Sequence, residues 1–421
     1  MLRRTLYLAQ MLRNASRSSA SLAADQSRKL RSLVRHAAAS VPFYRDLYAS
    51  QSIRADCING PHDLVRLPIV TKLQLRAAGS AAMSLDAPRR LVKISTSGSS
   101  GEPFAFFIDR NYDQWRKAQY LRAYLCSGRR IRDKILRLTA SPRQRLSWTL
   151  RLGLIRELQL AGATDPAHVA ATWQALSPDV LQGYPSSLRT LANYCLEGSR
   201  RLQPAPRLIF TDSELLTPDT RALLEQQFGA PVLDIFGTYE TDNIGFQCAA
   251  RSGYHIATDC AVVEIVRDGR PVPPGEEGEI VVTVLGNRTT PFIRYNLRDI
   301  GTLVPQSCSC GLPFPLLSGL QGRADDLIVL SGGRRRSAMD ALGRLDDSAS
   351  VVRHYQLRQL RLGVFELLIV PSNRFSAADG ERLAAAVAAT LEGAEVTWRL
   401  VDATPPERSG KRRTFVSLLT Q

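Results

Sequence analysis

The sequence predicts an α/β protein, with a large N-terminal α/β domain that contains a β-rich subregion and a small α+β domain at the C-terminus. Three observations predict it. Between residues 91 and 237, short apolar runs alternate with helix-length amphipathic stretches, the pattern of strands and helices packed in layers. From about residue 255 the apolar runs are separated by Gly and Pro turns instead of helices, the pattern of neighbouring antiparallel strands. Near residue 326 a second, shorter alternation begins.

In order, Gln26–Ala39 reads as an amphipathic helix that turns at Pro42, and a polar, Pro-marked stretch follows to about residue 90. LVKI (91–94) is strand-like and leads into STSGSSGEP (95–103). Residues 110–127 are helical, and KILRLTA (134–140) is a strand. Residues 168–198 give a helix, the strand-like VLQGY and a second helix. PRLIFT (206–211) is a buried strand, Pro218–Phe228 a helix with Pro in its first turn, and PVLDIFG (231–237) the next strand. CAVVEIV, EIVVTVL and TPFIRYN, separated by Gly/Pro turns, form the antiparallel, barrel-like or β-rich part. DLIVLSGGRRR (326–336) opens a new unit, continued by VVRHYQLRQL, VFELLIVP, an Ala-rich helix at 377–392 and VTWRLV. The break falls near residues 322–326, so the expected domains are 1–322 and 323–421.

Composition excludes several classes. The 421 residues are 44% hydrophobic and 22% charged, ordinary for a globular chain and unlike a disordered or fibrous one. No uninterrupted apolar run reaches the roughly 18 residues of a membrane-spanning helix. The net charge of +16 fits a polyanionic partner or a compositional bias. Only six of the 55 basic residues are Lys, and no RNA- or DNA-binding motif is present, so the bias is the preferred reading and no sequence-specific nucleic-acid partner is expected. The first 24 residues contain no acid, with Leu2/Leu6 and Leu8/Leu12 at helical spacing; they read as a basic surface helix able to touch a membrane surface weakly. Seven cysteines in a chain this long do not make a disulfide framework, which points to a reducing, cytoplasmic setting. Oligomeric state has no sequence signal.

Five segments carry chemistry. Ser95-Thr96-Ser97-Gly98-Ser99-Ser100-Gly101 follows a strand and can wrap a phosphate with backbone N–H groups and hydroxyls, although it lacks the ending of a Walker loop and equally fits a linker. Phe236-Gly237-Thr238-Tyr239-Glu240 also follows a strand; it offers an aromatic for stacking and a carboxylate for Mg²⁺. PFIRYNLRD (291–299), Gly322-Arg323-Ala324-Asp325 and the Ser409-Gly410-Lys411 loop complete the set. Lys411 is notable in a chain that otherwise uses Arg, because Lys offers a compact, mobile ammonium.

In order and spacing these segments resemble the adenylate-forming, acyl-CoA synthetase-like superfamily, and within it the branch of phenylacetate–CoA ligase and the CapK-type proteins. LVRHAAASVPFYRDLY (33–48) and LQGYPSSL (181–188) are similar to that branch as well. The resemblance, from about residue 30 to 415, implies ATP-dependent activation of a carboxylic acid to an acyl-adenylate with release of pyrophosphate. Transfer follows to an acceptor: coenzyme A, a carrier thiol, or the amine or hydroxyl of a small molecule. It implies that Ser95–Gly101 cradle the β- and γ-phosphates, that Phe236, Gly237, Thr238 and Tyr239 border the nucleotide, and that Glu240 holds Mg²⁺. Asp299 and Arg323 serve the ribose, Asp325 is the hinge on which a mobile C-terminal domain turns, and Lys411 bridges the α-phosphate and the substrate carboxylate. Tyr184, Pro185, Ser213 and Glu214 fall where relatives line the acyl pocket; ordinary strand-end structure is the rival reading. Phe236 stands where a Tyr is usual, and RYNLRD departs from the common ribose motif. The alternative function is a non-catalytic relative that binds nucleotide or a partner; the retained Lys411, Glu240, Asp299 and Arg323 favour the enzyme.

Cys248 and His255 flank a short loop, and Cys308-Ser309-Cys310-Gly311 lies downstream. Together they offer four N/S ligands, enough for a closed structural Zn²⁺ site, and some members of the resembled branch carry such a cluster. Reduced core thiols beside a hydrogen-bonded His fit the same residues, and Cys260 is the spare ligand.

Overall fold

The computed structural model describes residues 2–95, 104–140, 142, 156–322, 327–330, 334–342, 351–404 and 413–419. The chain alternates between two compact units, Met1–Gly128 with Ile235–Leu320, and Arg129–Asp234 with Gln321–Gln421.

The first segment holds helices α1 (Leu2–Asn14), α2 (Ser19–Ser40), α3 (Pro42–Ser50) and α4 (Lys72–Ala78), the hairpin of β1 (Leu91–Ser95) and β2 (Ala105–Asp109), and α5 (Arg110–Cys126). α2 starts seven residues before the expected Gln26, because Ser18 caps it by accepting from the Ser21 N–H. The polar stretch before residue 90 hides α4, which opens with a Thr71/Gln74 capping box. The basic N-terminal helix is packed into the fold: Met11 and Asn14 of α1 are buried, while Leu2 and Leu6 stay 76% and 59% exposed. Asn14, α2 and α5 converge on Asp259, which accepts from Asn14 Nδ2 (2.8 Å) and pairs with the fully buried Arg122 (3.2 Å).

The second segment holds β3 (Ile135–Thr139), β4 (Glu157–Ala161), α6 (Pro166–Leu176), β5 (Val180–Gly183), α7 (Pro185–Glu197), β6 (Leu208–Asp212), α8 (Pro218–Phe228) and β7 (Val232–Thr238). β4, β3, β5 and β6 run parallel in that order; α6 carries the chain from β4 to β5 and α7 from β5 to β6, the crossovers that parallel neighbours need. Every residue of β5 and β6 is buried, which fits the apolar runs that open them, Val180-Leu181 and Leu208-Ile209-Phe210.

The third segment holds β8 (Asp242–Gln247), β9 (Tyr254–Ile256), β10 (Ala261–Arg267), β11 (Arg270–Pro271), β12 (Glu277–Val284), β13 (Tyr295–Val304) and β14 (Leu316–Ser318). The pairings β10–β12, β12–β13, β13–β14 and β14–β9 are all antiparallel. The run ends on the two-residue β11 paired to β10, so among the described residues it is an antiparallel ladder with an edge, the β-rich form of the expected subregion. The strand expected at TPFIRYN begins only at Tyr295. Asn287 Oδ1 accepts from the N–H groups of Thr289 and Thr290, and Arg294 has φ +47°; both are turn conformations. A core of α2, α3, β2 and the ladder, including Leu33, Tyr44, Phe106, Ile280 and Phe292, joins much of this unit.

The fourth segment holds β15 (Leu327–Val329), β16 (Arg335–Ser337), α9 (Ala338–Leu342), β17 (Val352–Arg361), β18 (Val364–Pro371), α10 (Ala377–Thr390), β19 (Glu395–Leu400) and β20 (Phe415–Ser417). Its sheet runs β19-β18-β17-β20, and its core residues all come from 328–415. Within the second unit, α7 meets β17 through residues spaced i, i+4 and i+8. Arg189 Nε and Asn193 Nδ2 donate to the Arg353 carbonyl at 3.2 and 3.0 Å, and Glu197 takes both guanidinium donors of Arg353 at 2.6 Å. Among the described residues no helix is long and apolar enough to cross a membrane.

Candidate active site

Within the first unit, Glu240 is the centre of a constructed environment. β7 and β8 form an antiparallel hairpin whose register shifts between Phe236 and Gly237. The turn closes so tightly that a Cβ on residue 237 would lie 1.9 Å from the Asp242 carbonyl oxygen; only Gly fits there. The Thr238 and Thr241 hydroxyls brace the turn, each accepting the other residue's N–H at 3.2 Å. Tyr239 at the tip is half exposed, whereas Glu240 is buried at 5%.

A buried carboxylate needs partners. Tyr295 Oη donates to Glu240 Oε1 at 3.2 Å, joining two sequence motifs 55 residues apart. Lys72 Nζ lies 3.3 Å from the same oxygen and 5.7 Å from the Phe104 ring centroid. Lys72 belongs to none of the motifs read from the sequence. Its placement is tertiary: Val70 N donates to the Arg294 carbonyl and Asn296 N to the Val70 carbonyl, both at 2.9 Å. Arg294 is itself buried and held by Glu264 at 3.0 Å. The segment 67–72 therefore lies along residues 294–296 and carries Lys72 to the Glu240 turn.

Phe236 is partly buried and packs edge-on against Tyr254, with ring centroids 6.2 Å apart. Asp299 stands on a bulge of β13. Val281 pairs with Asn296 and Glu279 with Ile300, so one β12 residue faces three on β13, Leu297 to Asp299. The extra residues leave the ladder, Arg298 at φ +63°, which re-aims the Asp299 position as bulges do. Ser95 ends β1 opposite Ala105 and is exposed. Thr96, Ser97, Gly98, Ser99, Ser100, Gly101, Arg323, Asp325 and Lys411 lie outside the described residues.

In the second unit, Tyr184, Pro185, Ser213 and Glu214 gather at the C-terminal ends of β5 and β6, the edge where open parallel sheets bind ligands. Tyr184 and Pro185 begin α7. The Glu214 carboxylate accepts from Ser186 N and Ser186 Oγ, both at 3.0 Å, so it caps that helix and complements its dipole. Tyr184 is buried, its Oη accepting from Ala140 N at 3.1 Å. Ser213, at φ +70°, donates to Asp212 at 2.8 Å, and Gln182 donates to the other Asp212 oxygen at 2.9 Å.

The four N/S residues converge in the first unit. The ligand atoms of Cys248, His255, Cys308 and Cys310 all lie within 4.8 Å of one another, with Sγ–Sγ 3.6 Å for Cys248–Cys308 and 3.3 Å from Cys310 Sγ to His255 Nε2. A tetrahedral ion with Zn–S bonds of about 2.3 Å sets its sulfurs about 3.8 Å apart. His255 Nδ1 faces the Phe314 carbonyl at 3.4 Å, which leaves Nε2 for the cluster. Burial lowers the His255 pKa, favouring the neutral ring a metal requires. Burial and the neighbouring thiols push Cys310 up to about 12. At Cys308, burial works to raise the thiol, yet hydrogen bonds from Cys310 and Cys248 bring it below its ordinary value, as expected when clustered thiols share protons. Cys260 is not in the cluster; it is buried with its sulfur 3.6 Å from Arg122.

No family model matches the chain. It is 26% identical over 328 residues to phenylacetate–coenzyme A ligase of Aromatoleum evansii, covering 74% of this chain and 72% of that protein. It is 24% identical over 248 residues to protein CapK of Staphylococcus aureus, covering 56% and 53%. Its fold matches the crystal structure of 2-hydroxyisobutyryl-CoA ligase in the postadenylation state with a TM-score of 0.81 at 20% identity, over 96% of this chain and 91% of that one. With the β7–β8 turn, the β13 bulge and the Cys/His cluster all falling on the ordered motifs, the chain is similar in sequence to the phenylacetate–CoA ligases and shares the fold of an adenylate-forming CoA ligase, which supports an AMP-forming ligase.

Proposed function

We propose that the chain activates a carboxylic acid with MgATP and passes the acyl group to an acceptor, with coenzyme A the first to test. The observation that carries this reading is the Glu240 turn, where a buried carboxylate meets Lys72 and Tyr295 at 3.3 and 3.2 Å. One carboxylate plus nucleotide phosphates suits Mg²⁺, which keeps several waters and rarely takes an all-protein cage. When bound, Mg²⁺ supplies charge neutralisation at the polyphosphate.

The chain's own residues do the rest. Loop 95–101 donates N–H and hydroxyl hydrogens to the β- and γ-phosphates. Phe236, Gly237, Thr238 and Tyr239 border the adenine side, and Asp299 with Arg323 accommodates the ribose. Lys411 offsets the charge that develops as a carboxylate oxygen bonds to the α-phosphorus and the bond to the pyrophosphate oxygen breaks. Tyr184, Pro185, Ser213 and Glu214 line the acyl side. Residues 323–421, which carry their own core, form the small domain that turns at Asp325 to admit the acceptor. A cytoplasmic setting fits substrates such as ATP and coenzyme A, and the exposed Leu2 and Leu6 of α1 suit at most weak membrane contact.

The test is pyrophosphate release from MgATP with pooled aromatic, aliphatic and amino acids, hydroxylamine trapping the acyl-adenylate. Release that depends on one pool is the expected result. ATP binding with no release from any pool, or with release indifferent to the acid, overturns adenylation and favours the non-catalytic relative. Lys72→Met removes a cation from beside Glu240 without shortening the chain. It is expected to raise KM for MgATP roughly tenfold or more, the loss of one charge-assisted contact, with the fold intact by circular dichroism.

We also assign a structural Zn²⁺ to Cys248, His255, Cys308 and Cys310. Metal analysis of protein never exposed to chelator is expected to give about one equivalent per chain. Cys308→Ser and Cys310→Ser should lose it, with a fall in Tm of about 10 °C. Less than about a tenth of an equivalent in the unmodified protein overturns the assignment.

A further inference from the structure

The Glu240 turn has a second hold on it, outside the motif itself. β8 opens with Asp242 at φ +56°, a left-handed conformation that a non-glycine residue keeps only when its surroundings determine it. Its carboxylate accepts from Arg116 Nε at 2.6 Å and from Tyr112 Oη at 3.2 Å. Gln119 Nε2 donates to the next carbonyl, Asn243 O, at 3.0 Å. Tyr112, Arg116 and Gln119 are spaced i, i+4 and i+7 along α5, so they share one helix face. That face is stiff: Tyr112 is buried at 4% and stacks on Trp115, with ring centroids 5.3 Å apart. The Asp242 carbonyl is also the group against which Gly237 closes. Any slip of Asp242 therefore passes to both ends of the six-residue segment 237–242 that bears Glu240.

We propose that Tyr112, Arg116 and Asp242 are positioning residues that clamp the turn and set the metal-dependent part of nucleotide binding. The inference rests on the reading of Glu240 as the Mg²⁺ carboxylate. The side chains work by fixing backbone, not by touching nucleotide: α5 is a rigid rail, and the Arg116–Asp242 pair pins the first residue of β8 to it. A preorganised carboxylate loses less freedom when it takes a ligand.

Asp242→Gly is the informative variant. Glycine takes φ +56° freely, so the clamp is removed while the backbone conformation is spared; Arg116→Gln breaks the pair from the other side. Calorimetric titration with ATP, in Mg²⁺ and in EDTA, needs no knowledge of the acid. Both variants are expected to weaken MgATP binding roughly five- to tenfold and to leave metal-free ATP binding within about twofold. The double variant should be no worse than Asp242→Gly, because the two residues act as one unit. Hydrogen exchange of the metal-free protein should accelerate about tenfold in the peptide covering residues 236–247 and not in β10 or β12. Equal weakening with and without Mg²⁺ means general loss of structure and overturns the clamp, as does unchanged MgATP binding. Glu240→Gln is titrated alongside. If it too leaves MgATP binding unchanged, the reading of Glu240 falls and the inference with it; if it alone weakens binding, only the clamp falls.

Discussion

Glu240→Gln is expected to lower acid-dependent pyrophosphate release by about 10²–10³, the usual cost of losing one preorganised electrostatic group at a reacting phosphate. The substitution keeps shape and volume. Tyr295 can still donate to the amide oxygen, and the Thr238/Thr241 bracing of the turn is untouched. What is lost is the negative charge, and two things depend on it. Lys72, 3.3 Å away, loses its counter-ion, and the site loses its hard anionic oxygen for a divalent cation. The loss should therefore appear as a steeper requirement for Mg²⁺ as well as a lower kcat. Glu240→Asp separates charge from reach: it restores charge but withdraws the carboxylate by one methylene, so it should fall between Gln and the native residue. Steady-state rates across an Mg²⁺ titration read both effects. A Gln variant with native rate and native Mg²⁺ dependence would make the Glu240–Lys72 pair a purely structural ion pair.

The parts of the fold that were legible in the sequence are those where local pattern and tertiary environment agree. Pro218–Phe228 was readable residue for residue, because Thr217 caps it, Pro218 sits at its first turn and Gly229 ends it at φ +67°. β5 and β6 were readable because burial on both faces selects the apolar openings Val180-Leu181 and Leu208-Ile209-Phe210. The Cys/His cluster was readable because its ligands come as two short pairs, and geometry then selects His255 over Cys260, which faces Arg122 instead. Tertiary decisions were not readable. Lys72 acquires its place from Val70 lying beside Tyr295, a pairing across more than half the chain. The TPFIRYN segment has strand composition, but the Asn287 turn and the left-handed Arg294 delay the strand to Tyr295. Asp242 carried no motif signal at all; its role comes from meeting one face of α5.

Lys411→Ala should separate the two half-reactions. Pyrophosphate release is expected to fall by about 10²–10³ or more, because the ammonium is needed only while charge builds up between carboxylate and α-phosphate. The same variant supplied with a synthetic acyl-adenylate and acceptor should retain turnover within about tenfold of the unmodified protein, since no phosphorus–oxygen bond to pyrophosphate remains to be broken. The sequence makes this residue a sharp choice: among 55 basic side chains only six are Lys, and one of them falls in the last Ser-Gly loop. A residue serving only general basic charge would be interchangeable with Arg, so Lys411→Arg provides the decisive contrast. Arg keeps the charge but replaces a compact ammonium with a planar fork of different reach, and adenylation should stay severely impaired. The proposed mechanism uses residues 323–421, whose described part shares a core of its own, to bring Lys411 to the first step and withdraw it for the second. Equal loss in both half-reactions would instead make Lys411 a residue that stabilises the small domain, and would remove the case for a turn at Asp325.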